Sequence, residues 1–566
     1  MAKALILLYL SAATGRGNDS PQPRMIKRIA TVGGWTLISR VSGFIRDVVM
    51  AAVLGAGPMA DAFFVAFRLP NHFRAIFAEG AFAAAFVPAY ARTLQQAGID
   101  AAKLFADRIA AALIAINLLL LALALLFTPW VVSILAPGFI NDPTRFDLAV
   151  ALTRITFPYL ALVSLETLLA GVLNANQRFA AAAGAPVLLN VSLIATLLLA
   201  PYFQSAGYAA AWGVLIAGVG QVILVAVDAE MRGVGIRLRM PTLDANTRRF
   251  LKALGPAIVG AGGVQLALFA DTLIASFLPT GALSALYYAD RINQLPIGVV
   301  GIAVGTVLLP EMSRRLAAGD TRGAALAQAR GIQLALLMTV PSVAGAIAIP
   351  DLIMRALFAR GAFTAADAAA AGATLSAYAI GLLPFVMMRS FTAPFYARGD
   401  TLTPVKAALL AAAVNIALKV VLMGSLAQVG LALATSAGAW INLTLLTIFA
   451  RRRGFAVSGA GLRPVIRLFL AGAVLAVVLY FGSIVLAKAF SGLPHFREET
   501  TLAVLLLIGT IVYAATVLLL LGRGWLATLF KDVGTAADAP PSKTLQPPDP
   551  TSASAALPDN TPPPNV

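Results

Sequence analysis

Apolar runs of about 20 residues recur along this chain from one end to the other, and they are continuous rather than alternating with a period of two. A run of that length forms a helix of about 30 Å, enough to cross the hydrocarbon core of a bilayer, whereas barrel strands would alternate. The pattern predicts fourteen transmembrane helices near 28–54, 61–90, 106–132, 148–173, 180–202, 208–230, 250–278, 282–309, 325–349, 372–396, 404–424, 428–450, 464–488 and 500–521. The fold class is therefore an all-α membrane protein. Two terminal segments fall outside the spans. Residues 1–24 hold a short apolar stretch, Ala4–Ala13, that reads either as a weak signal-peptide core or as sequence upstream of a start at Met25. Residues 531–566 are rich in Pro, Ser, Ala and Asp and read as a disordered tail.

Composition narrows the function classes. The chain is 60% hydrophobic and 12% charged, too few charges to cover a water-facing surface of 566 residues. It has no cysteine, which excludes thiol catalysis and cysteine-bound metals, and its two histidines, His72 and His495, are too few for a histidine metal site. No G-x-x-x-x-G-K-[ST] is present, so no nucleotide-driven motor is encoded in these residues.

The net charge of +17 raises the question of nucleic acid, and its distribution answers it. With the N-terminus inside, 29 of the 42 Lys and Arg fall in the N-terminal segment, alternate loops and the C-terminal tail. Five fall in the opposite loops (Arg145, Arg355, Arg360, Lys488 and Arg497), and eight within spans. This bias predicts both termini in the cytoplasm, with contact to anionic lipid heads and no nucleic-acid partner.

The chain also echoes itself. Aligning Pro88 with Pro310 puts Arg92 on Arg314, and the segment 174–179 before Pro186 is echoed by 395–400 before Pro404. The second half restarts about six spans after the first, which predicts parallel repeats, with substrate between two lobes that rock alternately. The expected organisation is an extension 1–24, an N-lobe 25–232, a C-lobe 233–452, a C-terminal helix pair 453–530 and the tail 531–566.

Eight basic residues lie within the spans: Arg40, Arg46, Arg68, Arg74, Arg154, Arg291, Arg389 and Lys419. Each costs roughly 2.5–3.5 kcal/mol near the bilayer centre unless paired or hydrated. Asp47, Asp61, Glu79, Glu166, Asp271 and Asp290 are the available anions. Ion pairing inside the bundle accounts for part of the set, for example Arg154 with Glu166. Arg40 and Asp47, like Asp61 and Arg68, are seven apart and near one helix face. The cation surplus sits in the first half, and arginine suits multidentate contact with phosphate oxygens, so Arg40, Arg46, Arg74 and Arg291 are the candidates for an anionic diphosphate site.

The segments SRVSGFIRD (39–47), DAFFVAFRLPNHFRAIFAEGAFAAAFVP (61–88), GVLNANQRF (171–179) and YYADRINQLPIGVVGIAVGTVLLP (287–310) resemble the MurJ, or MviN, family of lipid II flippases. The likeness runs from about Met25 to Gly522. It implies the multidrug/oligosaccharidyl-lipid/polysaccharide exporter fold, two six-helix lobes in a V plus two C-terminal helices that form a lipid-facing groove. It implies transport of the lipid-linked peptidoglycan precursor from the cytoplasmic to the periplasmic leaflet of the bacterial inner membrane, with no covalent chemistry and no cofactor. Lipid II is the implied partner, with cell-wall synthesis proteins as further candidates. Carried over by motif, Arg40, Arg46, Arg74 and Arg291 line the cavity, and Asp47, Asp61 and Glu79 belong to gating or pairing.

Two departures from the family pattern stand out. Gln294 replaces an acid found three residues after the Arg291 position in some relatives, which removes one acidic partner for that arginine. Some relatives also place sodium between the seventh and eleventh helices. Asp271 and Asn415 keep part of that arrangement, but Lys419 stands where a second acid is expected. An ammonium there would pair with Asp271 and point to membrane potential or protons as the drive; the alternative is that Lys419 snorkels outward. Rival readings are a flippase for another polyprenyl-diphosphate glycan and a drug/cation antiporter, the latter wanting an acidic rather than a basic cavity.

Overall fold

A computed structural model describes residues 22–76, 82–237, 239, 247–250, 252, 254–256, 269–455, 461–493 and 495–535, with 22–30, 69, 72–76, 302–303, 305–307 and 530–535 described for backbone only. The expected extension 1–24, nearly half of the seventh span, Glu79 and the end of the tail therefore lie outside the described residues or are described only in small part. The described residues up to Leu521 form one compact unit, and those from Gly522 onward fall outside it.

The first half holds α1 (Gln22–Leu54), α2 (Pro58–Ile76), α3 (Phe82–Leu126), α4 (Thr128–Leu135), α5 (Pro143–Thr156), α6 (Pro158–Ala175), α7 (Ala180–Leu198) and α8 (Ala206–Met231). The second holds α9 (Ala282–Ala317), α10 (Thr321–Ala348), α11 (Pro350–Phe358), α12 (Ala365–Tyr396), α13 (Leu402–Arg452), α14 (Leu462–Ala489) and α15 (Arg497–Thr535). Among the described residues nine helical segments are long and apolar enough to cross a membrane. Of these, α13 leaves helical geometry at Ala427, between the spans expected at 404–424 and 428–450. The last helix continues to Thr535, past the boundary at 531 read from composition, after a break at Gly522.

Helices α1 to α8 pack chiefly on one another, as do α9 to α13, and α14 packs on α10. The two bundles meet where α2 touches α9 and α1 touches α11. An aromatic core fills that junction: Phe64 of α2 stacks on Tyr287 of α9 at 4.1 Å, and Tyr288 packs on Phe358 and Phe363. Helix ends recur in form. Residues 177, 233, 319, 399 and 454 all adopt positive φ, and in each case the next amide donates to the carbonyl five residues before it, a Schellman turn. Glycine serves at four of these positions and Gln177 at the fifth. The turns after α6 and α12, which contain 177 and 399, are the ones the sequence echo pairs.

Proline inside a helix removes the amide that would bond the carbonyl four residues back. At several of these bends the carbonyl finds a donor on a neighbouring helix. Thr156 Oγ1 donates to Ala66 O (2.9 Å), freed by Pro70. Tyr513 Oη donates to Leu337 O (2.9 Å), freed by Pro341, and Trp440 Nε1 to Ile380 O (2.9 Å), freed by Pro384. Gln328 Nε2 donates to Ser390 O (3.1 Å), freed by Pro394, and Ser376 Oγ to Ala346 O (3.1 Å), beside Pro350. Pairing bent helices in this way is how proline is tolerated where no water reaches the backbone.

Close helix contacts rely on missing side chains. A Cβ on Gly381 of α12 would lie 2.6 Å from Ser436 Cα of α13, a backbone atom that cannot give way. Gly381→Ala should therefore lower stability by about 1–3 kcal/mol. Gly33→Ala in α1, with nothing within 4 Å, should leave stability unchanged or raise it by up to about 1 kcal/mol. Thermal unfolding of the two purified variants in detergent checks the contrast.

Candidate functional site

Three polar constellations lie where the two bundles meet. The first closes the seam at the α1–α2 end. The N-terminus of α9 leaves amides without intrahelical partners, and Asp61 of α2, fully buried, supplies them. Its carboxylate accepts from Gly281 N (2.8 Å), Ser284 N (3.0 Å) and Ser284 Oγ (2.7 Å). The C-terminus of α1 leaves carbonyls, and Ala362 N, in the loop after α11, donates to Ala52 O at 2.7 Å. Arg145 Nη1 donates to Leu278 O (3.1 Å) and lies 3.9 Å from Asp61, while Gly138 N donates to Ser276 Oγ (3.0 Å). Each bundle thus caps helix ends or turns of the other. In the turn beside the seam, hydrogen bonds from Arg145 hold the Asp142 carboxyl below the usual carboxylate range. Backbones touch closely here: a Cβ on Gly138 would be 2.4 Å from Ser276 O, and one on Gly361 2.2 Å from Ala52 O.

The second constellation is cationic. Arg46 of α1 donates to Asp47 Oδ1 through Nε (3.1 Å) and Nη2 (2.7 Å), and through Nη1 to Asn190 Oδ1 of α7 (3.0 Å). Asn190 Nδ2 is held in turn by Ser39 O (3.0 Å) and Ser42 Oγ (2.9 Å), so the amide is oriented and Arg46 is fixed by two partners. Across the junction, Tyr287 of α9 donates to Asp47 Oδ1 (3.1 Å), and Arg291 Nε lies 3.6 Å from Asp47 Oδ2 with its guanidinium over the Tyr287 ring. Arg291 Nε is buried yet makes no hydrogen bond. The guanidinium of Arg40 lies against Gly298, where a Cβ would be 2.8 Å from Nη1. Two arginines, one from each bundle, thus meet one carboxylate.

The third constellation joins α13 to α2. Lys419 is 2% exposed and its ammonium pairs with Asp271. Thr272, the next residue, accepts from Arg68 Nη1 of α2 at 2.8 Å. Asn415, one turn before Lys419, has a buried Oδ1 without a hydrogen-bond partner. Among the described residues no group of three or more His, Cys, Asp or Glu is arranged to hold a metal ion.

Most of the expected residues converge, though with different partners. Asp47 pairs with Arg46 and faces Arg291, not Arg40, and Asp61 faces the α9 terminus and Arg145, not Arg68. Side chains seven apart on one helix are about 10 Å apart along its axis, so partners on the facing helix are nearer. Arg291 has an acidic neighbour on the other bundle, Asp47, while on its own helix Gln294 donates to Asp290 (2.5 Å). Lys419 points inward. Arg74 lies on α2 one turn beyond Pro70, with only its backbone described, and Glu79 lies outside the described residues. Arg154 and Arg389 are exposed. Sequence reasoning passed over Asn190, whose signal was a lone amide in an apolar span, and treated Arg145 as a loop cation.

A family profile described as lipid II flippase MurJ matches residues 50–498. The probable lipid II flippase MurJ of Rhizobium meliloti is 44% identical over 81% of this chain and 86% of its own length. The lipid II flippase MurJ of Burkholderia cenocepacia is 35% identical over 81% of this chain and 90% of its own. Among solved structures, lipid II flippase MurJ in an inward closed conformation superposes with a TM-score of 0.72 at 24% identity, over 89% of this chain and 99% of that one. An inward-facing multidrug resistance MATE family transporter gives 0.60 at 14% identity, over 80% and 98%, so this chain and that transporter share a fold. With a profile covering most of its length and relatives of this identity, the chain belongs to the MurJ family of lipid II flippases.

Proposed function

We propose that this protein moves lipid II from the cytoplasmic to the periplasmic leaflet by alternating access of its two bundles, taken as lobes 25–232 and 233–452, and that Arg40, Arg46, Arg74 and Arg291 hold the diphosphate. The observation that carries this reading is the cationic constellation. Arg46 and Arg291 share one carboxylate, Asp47, a formal excess of one positive charge between bundles that must separate, and Arg40 lies against Gly298 of the helix that carries Arg291. The phosphate oxygens of a diphosphate would engage this surplus, and Arg291 Nε already offers an unfilled donor. A drug cation would be repelled there. The basic loops support a placement in the inner membrane with both termini cytoplasmic, which puts the closed seam at the periplasmic end.

In this cycle the substrate enters from the cytoplasmic side and competes with Asp47 for Arg291. Binding across both bundles favours the arrangement in which the arginines converge on phosphate, and only that differential contact can shift the equilibrium. Opening the seam then exchanges the bonds at Asp61, Ala52, Leu278 and Ser276 for bonds to periplasmic water. Each such exchange costs only about 0.5–1.5 kcal/mol, so the seam is tight but reversible. For the drive, the Lys419–Asp271 pair supports membrane potential or protons rather than bound sodium, since a tethered ammonium already neutralises the carboxylate. Asn415 and Asp271 keep polar oxygens beside it.

Complementation of a strain depleted of its lipid II flippase tests the site. Arg46→Ala and Arg291→Ala should each lower activity at least tenfold, since each loss removes a charge-assisted bond worth about 1.5–3 kcal/mol. Arg291→Lys should recover only part, having charge without the planar fork. Full function of both alanine variants at normal expression would refute the reading.

Seam closure can be followed in the cysteine-free chain by disulfide formation between Ala52→Cys and Ala362→Cys. Gly138→Val should reduce that crosslink, because its Cβ collides with the backbone at Ser276; an undiminished crosslink would place the closure elsewhere. Replacing sodium by choline in lipid II-loaded vesicles should leave transport unchanged. A sodium requirement that Asp271→Asn abolishes would overturn the coupling assignment.

A further inference from the structure

The helix pair α14–α15 grips α10 where that helix is bent. A Cβ on Gly472 of α14 would lie 2.4 Å from Val340 Cγ1, the residue before Pro341. From α15, Tyr513 places its hydroxyl on Leu337 O, the carbonyl that Pro341 leaves without an amide. Leu502, Leu505, Tyr513 and Val517 are all buried, so this stripe of α15 faces protein, and the tyrosine oxygen makes a polar contact within an apolar stripe. Gly509, on the same stripe, packs on Leu475 and Leu479 of α14.

The bend at Pro341 is tied onward in two directions. One leads along α10 to Gln328, whose amide fills Ser390 O beside Pro394 in α12, a helix of the second bundle. The other leads along α15 to Glu499, which pairs at 3.1 Å with Arg360. Arg360 opens the loop whose Ala362 caps α1 at the seam. The C-terminal pair is therefore bonded both to a bend inside the second bundle and to the loop that closes the junction between bundles.

We infer that Tyr513 is a positioning residue of the transport cycle: by satisfying Leu337 O it sets the bend of α10 and makes the position of α14–α15 a determinant of whether the seam is closed. This rests on the flippase reading for its transport consequence but not for its effect on the seam. The physical reason is that Pro341 leaves Leu337 O without an intrahelical amide, so inside the membrane the bent form is favoured only as far as a neighbouring helix satisfies that carbonyl, and loss of the hydroxyl favours any arrangement in which another group reaches it.

The test uses full-length protein in three forms: Tyr513→Phe, Pro341→Ala, and the double variant. Tyr513→Phe removes only the hydroxyl and should shift the Ala52→Cys/Ala362→Cys crosslink equilibrium by roughly five- to thirtyfold, with a parallel loss of lipid II transport in vesicles. Pro341→Ala supplies a backbone amide to Leu337 O and removes the cause of the bend, so it should itself shift the crosslink, and adding Tyr513→Phe to it should have no further effect. A tyrosine that acted only through general packing would shift the crosslink equally in both backgrounds. Tyr480→Phe, an exposed tyrosine of α14, should be silent. The inference is overturned if Tyr513→Phe leaves the crosslink unchanged, or if it still shifts the crosslink by the same factor in the Pro341→Ala background. If the crosslink responds as expected while no form, wild type included, moves lipid II, the inference stands and the flippase reading falls.

Discussion

In hydrocarbon an unpaired amide, carbonyl or charge costs several kcal/mol, and the architecture follows from meeting that demand without water. Straight helices meet it alone. The bent ones do not, and Thr156, Gln328, Ser376, Trp440 and Tyr513 each reach across to a carbonyl at a proline bend or break. The same rule operates between bundles, where Asp61 takes the amides opening α9 and Ala362 takes a carbonyl closing α1. Bends and seam are thus two expressions of one need, and both are held by single hydrogen bonds that can be exchanged.

That exchangeability separates a transporter from a rigid bundle. At the closed end, the groups uncovered by opening are polar and would meet water, so separation is inexpensive. Deeper, Arg46 is anchored to Asp47 and Asn190 on its own bundle, while Arg291 approaches Asp47 across the junction without a hydrogen bond. The arrangement leaves one arginine committed and one available. An anion that engages both would exploit the difference, and its departure would return Arg291 to Asp47. The aromatic stack of Phe64 on Tyr287 places apolar surface beside these charges, keeping the local dielectric low and the charge contacts strong.

Hydropathy and the distribution of arginine and lysine were enough to call a many-helix membrane protein, because the bilayer imposes helix length and polarity on every span separately. The motifs around Arg40, Arg46, Asp61, Arg74 and Arg291 were equally legible, since cations and anions inside apolar spans have few reasons to be there. What stayed hidden was partnership. Asp47 with Arg291, Asp61 with Ser284, Lys419 with Asp271 and Tyr513 with Leu337 link residues from 148 to 244 positions apart or on separate helices. No local pattern encodes such distances.

The sequence by itself therefore determined the membrane class, the family, and which charged side chains fall within apolar stretches of the chain. Only the tertiary structure decided which of them meet, that Lys419 turns inward, that Arg291 finds its acid on another helix, and that prolines are held from neighbouring helices. The reason is physical: insertion is judged one span at a time, whereas pairing depends on how spans pack after insertion. Packing is set by glycines such as Gly138, Gly381 and Gly472, whose missing side chains acquire meaning only when a second backbone or side chain stands against them.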